Sequence, residues 1–255
     1  MDTACFFWNG ELGYHEMISL KSFVKNGFLT KLYSYDNINT PAGVELCDAN
    51  EIMPVEKLFS FSQGGKNRNL AAFSDVFRME LVCKHADYWW FDLDCYCVKS
   101  HEQFKELRTS KPIVIGRDNV NVESQIKVNG AVLSIPDETI RVTIRDNLRN
   151  MINRNSGKFQ RWGDAGPIFL ENQIKQLGLL DHLCSINHFY SVPAYNHTVS
   201  HAYNPKPFKL KQYIEMTSDA YVVHISNECS IRAGVKNIPP AGSYMHQLFS
   251  NINDE

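Results

Sequence analysis

The opening segment narrows the fold of this chain more than any other feature. Ala4-Cys5-Phe6-Phe7-Trp8 is a short apolar run that stops at Asn9-Gly10, as a buried strand does. Over residues 12–26, Met17, Leu20, Phe23 and Val24 recur at helical spacing, and Asn26-Gly27 supplies a stop signal. Residues 29–35 alternate apolar and polar side chains and end at Asp36-Asn37, the pattern of a second strand. Strand, helix and strand in this order form a βαβ unit, which implies a parallel sheet.

The rest of the chain extends that pattern. Gly64-Gly65-Lys66-Asn67 reads as a loop. Residues 70–84 are helical, with Phe73, Val76, Phe77 and Leu81 on one stripe. Tyr88-Trp89-Trp90-Phe91-Asp92-Leu93 is short, aromatic and β-prone. Residues 113–115 and 131–135 are strand candidates, 137–153 and 167–178 helix candidates, and 220–226 a late strand. Alternating elements point to one α/β domain over residues 1–255 with a mainly parallel sheet. Its ligand site belongs beyond the carboxyl ends of the strands.

Composition excludes several classes. At 44% hydrophobic, 255 residues can bury a sizeable core. A net charge of −2 lacks the basic footprint of a nucleic-acid binder. Seven scattered cysteines are an odd number and do not read as a disulfide framework. Cys95 and Cys97 fit strand alternation better than a thiolate metal site, since no second pair stands at zinc spacing. The first residues lack a secretory signal, and no run reaches the roughly 18 apolar residues of a membrane span. The expected compartment is therefore the cytoplasm.

Asp92-Leu93-Asp94 carries the chemistry. It stands where the aromatic strand runs out, and side chains two apart in a strand point the same way. Two carboxylates on one side repel unless something positive joins them. A divalent cation such as Mg²⁺, Mn²⁺ or Ca²⁺ does so, and can neutralise a diphosphate leaving group. Taken alone, a DxD tripeptide is more often a solvated turn. Asp75 and Arg78, three apart on the upstream helix, share a face close to the core. They are either an intrahelical ion pair or a sugar- and phosphate-contacting pair, for which the planar guanidinium is suited. A haloacid-dehalogenase-type phosphatase also uses DxD, but wants Thr or Val where this chain has Tyr96.

These residues resemble a known family. Ser74-Asp75-Val76-Phe77-Arg78, followed by Trp90-Phe91-Asp92-Leu93-Asp94, resembles the SD-x-x-R … DxD block of the DXD-containing glycosyltransferases. That group includes α-1,4-galactosyltransferases, initiating yeast mannosyltransferases, bacterial polysaccharide and lipopolysaccharide enzymes and, more distantly, the clostridial glucosylating toxins. Further blocks similar to the family's run in order. They are Phe7-Trp8-Asn9-Gly10, Leu32-Tyr33-Ser34-Tyr35-Asp36, Trp162-Gly163-Asp164-Ala165-Gly166-Pro167, His224-Ile225-Ser226-Asn227-Glu228 and Pro239-Pro240-Ala241-Gly242-Ser243. The chain departs from the family at Ala86-Asp87, where two glycines are usual, and at Ser226, where tryptophan is frequent.

The resemblance implies a GT-A fold, a Rossmann-like sheet that binds a nucleotide sugar, and transfer of a hexose with retention of configuration. Mn²⁺ is the implied cofactor, with Mg²⁺ as the substitute, held by Asp92, Asp94 and His224. Trp8 is implied to stack on the nucleobase of a UDP-hexose donor. Asp75, Arg78, Asp92, Asn129 and Gly166 would line the donor, and Asp164 would join Asp75 and Arg78 in the catalytic set. The acceptor is a glycan or glycolipid, as in bacterial surface polysaccharide synthesis, met at the inner membrane face. Plain alternatives stand beside these roles. His224 on an apolar strand is commonly a hydrogen-bonded core residue, Asn129-Gly130 is first a turn signal, and Trp8 can be core. Asp164 can cap the helix before Pro167, and Gly166 can simply shape its loop. The apolar stripe Tyr244, Met245, Leu248, Phe249 and Ile252 docks either on the protein's own core or on a membrane surface. The rival activities are a metal-dependent phosphatase or nucleotidyltransferase, and a catalytically silent sugar-binding module.

Overall fold

The computed structural model describes residues 1–63, 70–118, 127–235 and 238–253. The loop expected at residues 64–67 lies outside the described residues. The chain begins as its pattern requires, with β1 (Thr3–Phe7), α1 (Tyr14–Lys25), β2 (Leu29–Ser34) and β3 (Val44–Asp48). After the two-residue β4 (Ser62–Gln63) come α2 (Leu70–Lys84), β5 (Tyr88–Phe91), β6 (Cys95–Cys97) and α3 (His101–Thr109). The hairpin strands β7 (Val114–Asp118) and β8 (Lys127–Ser134) lead to α4 (Glu138–Asn155), the short β9 (Lys158–Phe159) and α5 (Pro167–Gln176). The C-terminal part is mostly helical. It comprises α6 (Ile186–Phe189), α7 (Asn196–Ala202), α8 (Pro207–Met216), β10 (Val222–His224), α9 (Asn227–Arg232) and α10 (Tyr244–Asn253).

The central sheet has six strands in the order β3-β2-β1-β5-β8-β7. The first four are parallel, and β8 and β7 are antiparallel additions at one edge. This is the expected α/β architecture with a mostly parallel sheet flanked by helices. Alternation along β5 sorts its aromatic run between the two faces. Trp90 packs on one side with Phe73, Phe77, Leu133 and Leu170. Trp89 and Phe91 pack on the other with Phe6, Phe23 and Phe104. Both tryptophans are core residues. Asn129-Gly130 and residues 220–226, of which only Val222–His224 form a strand, show where pattern and structure part. Asn129-Gly130 is not a turn but an irregular stretch inside β8. The β7–β8 register jumps there from Ile115↔Leu133 to Gly116↔Asn129.

A second, two-stranded sheet pairs β6 with β10 antiparallel and sets His224 opposite Cys95. It rests on a third cluster, in which Tyr96 and Val223 pack with Ile18, Met245, Leu248 and Phe249. The apolar stripe of α10 is therefore consumed by the protein's own core, and the stripe gives no ground for membrane attachment. No helix among the described residues is long and apolar enough to cross a membrane. All seven cysteines are free. Phe249 is 2% exposed, with its ring 5.0 Å from that of Tyr96. Phe249→Ala should therefore destabilise the fold by about 3–5 kcal/mol, measured by urea denaturation. A change under about 1 kcal/mol would contradict the docking of α10.

Candidate active site

Strand β5 ends at Phe91, two residues earlier than the aromatic pattern predicts. Asp92 N–H donates to Ala131 C=O of β8 at 2.8 Å, and Cys95 N–H donates back to Asp92 C=O at 3.1 Å. The second bond closes a turn over 92–95, so Asp92 and Asp94 do not share a strand face. They serve two adjoining clusters instead.

The first cluster is built on α2. Arg78, 5% exposed, places Nη2 3.1 Å from Asp92 Oδ1 and 3.3 Å from Asp75 Oδ1. Its guanidinium carbon lies 5.2 Å from the centre of the Trp90 ring. Trp90 Nε1 donates to the same Asp92 oxygen at 2.7 Å. Two glycines make room for the cluster. A Cβ at Gly130 would lie 2.2 Å from Arg78 Nη1, and one at Gly166 would lie 2.3 Å from Asp75 Oδ2. Gly166 thus shapes the approach of the α5 loop to Asp75. The structure thus brings Asp75, Arg78, Asp92 and Gly166 together.

The second cluster joins residues 130 positions apart. The β6–β10 pairing brings His224 Nε2 to 3.3 Å from Asp94 Oδ1. Asp94 Oδ2 accepts the Asn227 N–H at 2.9 Å, at the start of α9. Asp94 Oδ1 is buried without a directed hydrogen bond. Ligand atoms of Asp94, Cys95 and His224 lie within 4.8 Å of one another. Ser226, the departure from the family pattern, caps α9 by accepting the Cys229 N–H at 3.4 Å.

Electrostatics follow from burial and charge. Burial pushes Asp75 up to about 6, against the pull of Arg78. Burial also raises Asp92, with Arg78 opposing and Asp94 reinforcing. Arg78 is raised because the charges of Asp92 and Asp75 outweigh its burial. Burial is likewise the largest influence on Asp94, yet His224 and the Asn227 N–H hold its carboxyl below the usual range. His224 is raised, because Asp94 outweighs the burial that would lower it. Burial and the two aspartates push the Cys95 thiol well up, which keeps it neutral. Three carboxylates thus face one guanidinium and one imidazole, and the group is short of positive charge. A carboxylate oxygen without a donor, next to an imidazole nitrogen, is a donor set that tilts the choice of divalent cation from Mg²⁺ toward Mn²⁺. The residues fit such a cation.

Trp8, Asn129 and Asp164 have hydrogen-bond partners outside these two clusters. Trp8 directly follows β1, half-buried against the second core cluster, and its Nε1 donates to Glu11 C=O at 3.0 Å. Asn129 Nδ2 donates to Asp118 Oδ2 at 3.2 Å, and its Oδ1 accepts the Ala131 N–H at 2.9 Å. Its amide is therefore engaged within the hairpin. Asp164 turns back on Arg161, accepting that residue's N–H at 2.8 Å and its Nε–H at 3.2 Å. It does not cap α5, whose first position follows Gly166 with no side-chain bond. Sequence reasoning missed Tyr190, whose hydroxyl donates to Asn129 C=O at 2.9 Å and accepts the Val132 N–H at 3.2 Å. Its ring meets His224 edge-on at 5.4 Å. No local pattern marks Tyr190, since its partners are about 30 to 60 positions away.

No family model matches the chain, and no curated protein matches it significantly. Solved structures do. The glycosyltransferase GlyE of Streptococcus pneumoniae is similar over 99% of this chain and 60% of its own, with 13% identity and a TM-score of 0.53. Mouse xyloside xylosyltransferase 1 is similar over 89% of this chain and 98% of its own, with 10% identity and a TM-score of 0.53. The bifunctional glycosyltransferase WbbM is similar over 99% of this chain and 50% of its own, with 8% identity and a TM-score of 0.50. This chain therefore spans less than two thirds of GlyE and half of WbbM. At these identities the likeness establishes the fold, which is the GT-A fold of glycosyltransferases.

The raised Asp75 yields a stability prediction. Its ordinary value is 3.8 and its folded value about 6. Between the two, the folded chain binds more protons than the unfolded one, so this group's contribution falls as pH rises through that window. Asn mimics the neutral carboxyl and escapes the loss. The stability of Asp75→Asn relative to wild type should therefore be about 1–3 kcal/mol more favourable at pH 7.5 than at pH 4. Parallel denaturation curves at the two pH values measure it, and a difference of opposite sign would contradict the assignment.

Proposed function

We infer that this protein is a metal-dependent glycosyltransferase that moves a hexose, with retention, from a nucleoside diphosphate sugar to a glycan or glycolipid. UDP-hexose is the donor to test first, and bacterial surface polysaccharide synthesis is the setting the sequence resemblance suggests. The observation that carries the reading is the meeting of Asp94 with His224, beside Asp75, Arg78 and Asp92, at the ends of the strands of a GT-A sheet. A sugar-binding module has no need of an acidic cluster short of positive charge.

Asp94 and His224 would hold the cation, with Asp92 beside them. Bound there, Mn²⁺ or Mg²⁺ supplies positive charge to the diphosphate and eases its departure. The protein's own residues do the rest. Arg78 pins Asp75 and Asp92, so both carboxylates are fixed before a ligand arrives. Asp75, partly neutral near pH 6, can donate to or accept from a sugar hydroxyl. Gly166 keeps the α5 loop close enough to wall the sugar, and Trp8, directly after β1, would stack on the base. The acceptor oxygen bonds to the anomeric carbon as the bond from that carbon to the diphosphate breaks. The acceptor's proton passes to the departing phosphate oxygen on the same face.

The test is release of nucleoside diphosphate from a panel of nucleotide sugars with Mn²⁺, and with EDTA. Wild type should cleave at least one donor, and EDTA should abolish cleavage. Asp94→Ala should abolish it, and a melting curve is recorded beside it because the change also removes the partner of buried His224 and of the Asn227 N–H. His224→Ala should raise the Mn²⁺ concentration for half-maximal cleavage by at least about tenfold, the scale of a disturbed metal site. Cleavage indifferent to EDTA and to both substitutions would refute the reading.

A further inference from the structure

Between α4 and α5 lies a cleft of about 540 Å³ that the proposed chemistry does not use. Its walls are two facing helix stripes. From α4 come Asn147, Asn150, Met151, Arg154 and Asn155, at helical spacing. From α5 come Ile168, Phe169, Asn172, Gln173 and Gln176. Two helices that merely packed together would present mostly apolar side chains here, whereas amides outnumber Met151, Ile168 and Phe169. Asparagine is also an unfavourable residue in a helix interior, so a stripe of it is not explained by helix formation.

The amides are organised. Asn147 Nδ2 donates to Gln173 Oε1 at 2.6 Å, and Gln173 Nε2 donates to Gln176 Oε1 at 3.4 Å. Gln173 is only 6% exposed, so this chain of amides forms a fixed floor. Asn150 and Asn172 stand exposed above it. Met151 and Phe169 add apolar surface. Trp162, 71% exposed, sits on the loop between the lining residues Arg161 and Asp164.

We propose that this cleft is a glycan-binding subsite that holds a polyhydroxylated chain apart from the carboxylate cluster. Each amide offers a donor and an acceptor together, which matches a sugar hydroxyl. The apolar surface of Met151, Ile168 and Phe169 matches the C–H face of a pyranose. The cleft shares α5 with the candidate active site. Leu170 of that helix is buried in the core beside Gly130, while Gln173 and Gln176 face the cleft. The helix therefore divides donor chemistry from the held glycan. This rests on the glycosyltransferase reading, with the glycan as the acceptor or its extension.

The experiment is binding of the full chain to a microarray of defined oligosaccharides, without donor or metal, beside the double variant Asn150→Leu/Asn172→Leu. Both asparagines are exposed and outside the carboxylate cluster, so metal-dependent donor cleavage should be unchanged. Wild type should be retained on at least one glycan, and the double variant should bind it at least about tenfold more weakly, the scale of two lost hydrogen bonds. Should the double variant lose its cooperative melt, Asn172→Ala replaces it, with a loss of at least about threefold expected. Retention of no glycan by wild type, or smaller losses than these, overturns the proposal. Intact donor cleavage with no glycan retained sinks the cleft alone. Absent donor cleavage sinks the enzymatic reading instead.

Discussion

The site depends on one buried guanidinium. Asp75, Asp92 and Asp94 converge where a GT-A sheet ends, and burial alone would drive each toward its neutral form. Arg78 opposes that drive for two of them, reaching both Asp75 and Asp92 from a single nitrogen while its guanidinium carbon lies 5.2 Å from the centre of the Trp90 ring. Much of the surrounding backbone makes way for it. Gly130 occurs within a strand because a side chain there would collide with Arg78, and β8 breaks register at that point. Removing one partner from such an arrangement leaves a buried charge uncompensated, which is far costlier than losing a surface ion pair. His224 plays the corresponding part for Asp94, but an imidazole can release its proton. That leaves a carboxylate oxygen and a ring nitrogen together, which is the chemistry of a cation site.

Much of this could be read from the sequence where spacing is local. The strand–helix–strand opening, α2 and the aromatic run of β5 follow from apolar periodicity and stop signals. Asp75 and Arg78 share a face because three residues is nearly one helical turn. The strand reading of Asp92 and Asp94 failed for a definite reason. Periodicity does not show where a strand gives way to a turn, and the bond from Cys95 to Asp92 that makes the turn involves backbone alone. Asn129-Gly130 misled in another way. The dipeptide does mark irregular backbone, but the irregularity is a strand offset made for Arg78.

What the sequence could not place are the long-range partners. Pairing of β6 with β10 is what puts Cys95 and His224 side by side, and neither short segment has a pattern that names the other. Tyr190 is further removed. It ties the Asn129 carbonyl to the Val132 amide and lies edge-on to His224, so it links the β8 offset to the second cluster. Family resemblance supplied His224 as a ligand candidate, and the fold supplied its neighbour. The resemblance gave Asp164 a catalytic place, whereas its carboxylate faces Arg161 at the edge of the amide-lined cleft.

The central claim is that Asp94 and His224 together form a divalent-cation site. Anomalous difference density at the manganese edge, from a crystal grown with Mn²⁺ and a nucleoside diphosphate, tests it most directly. The account predicts one strong peak within bonding distance of Asp94 Oδ1 and His224 Nε2, about 2.0–2.3 Å from each. An ordered nucleotide with no peak there, or with the peak bound elsewhere while Asp94 and His224 keep their ion pair, would contradict it.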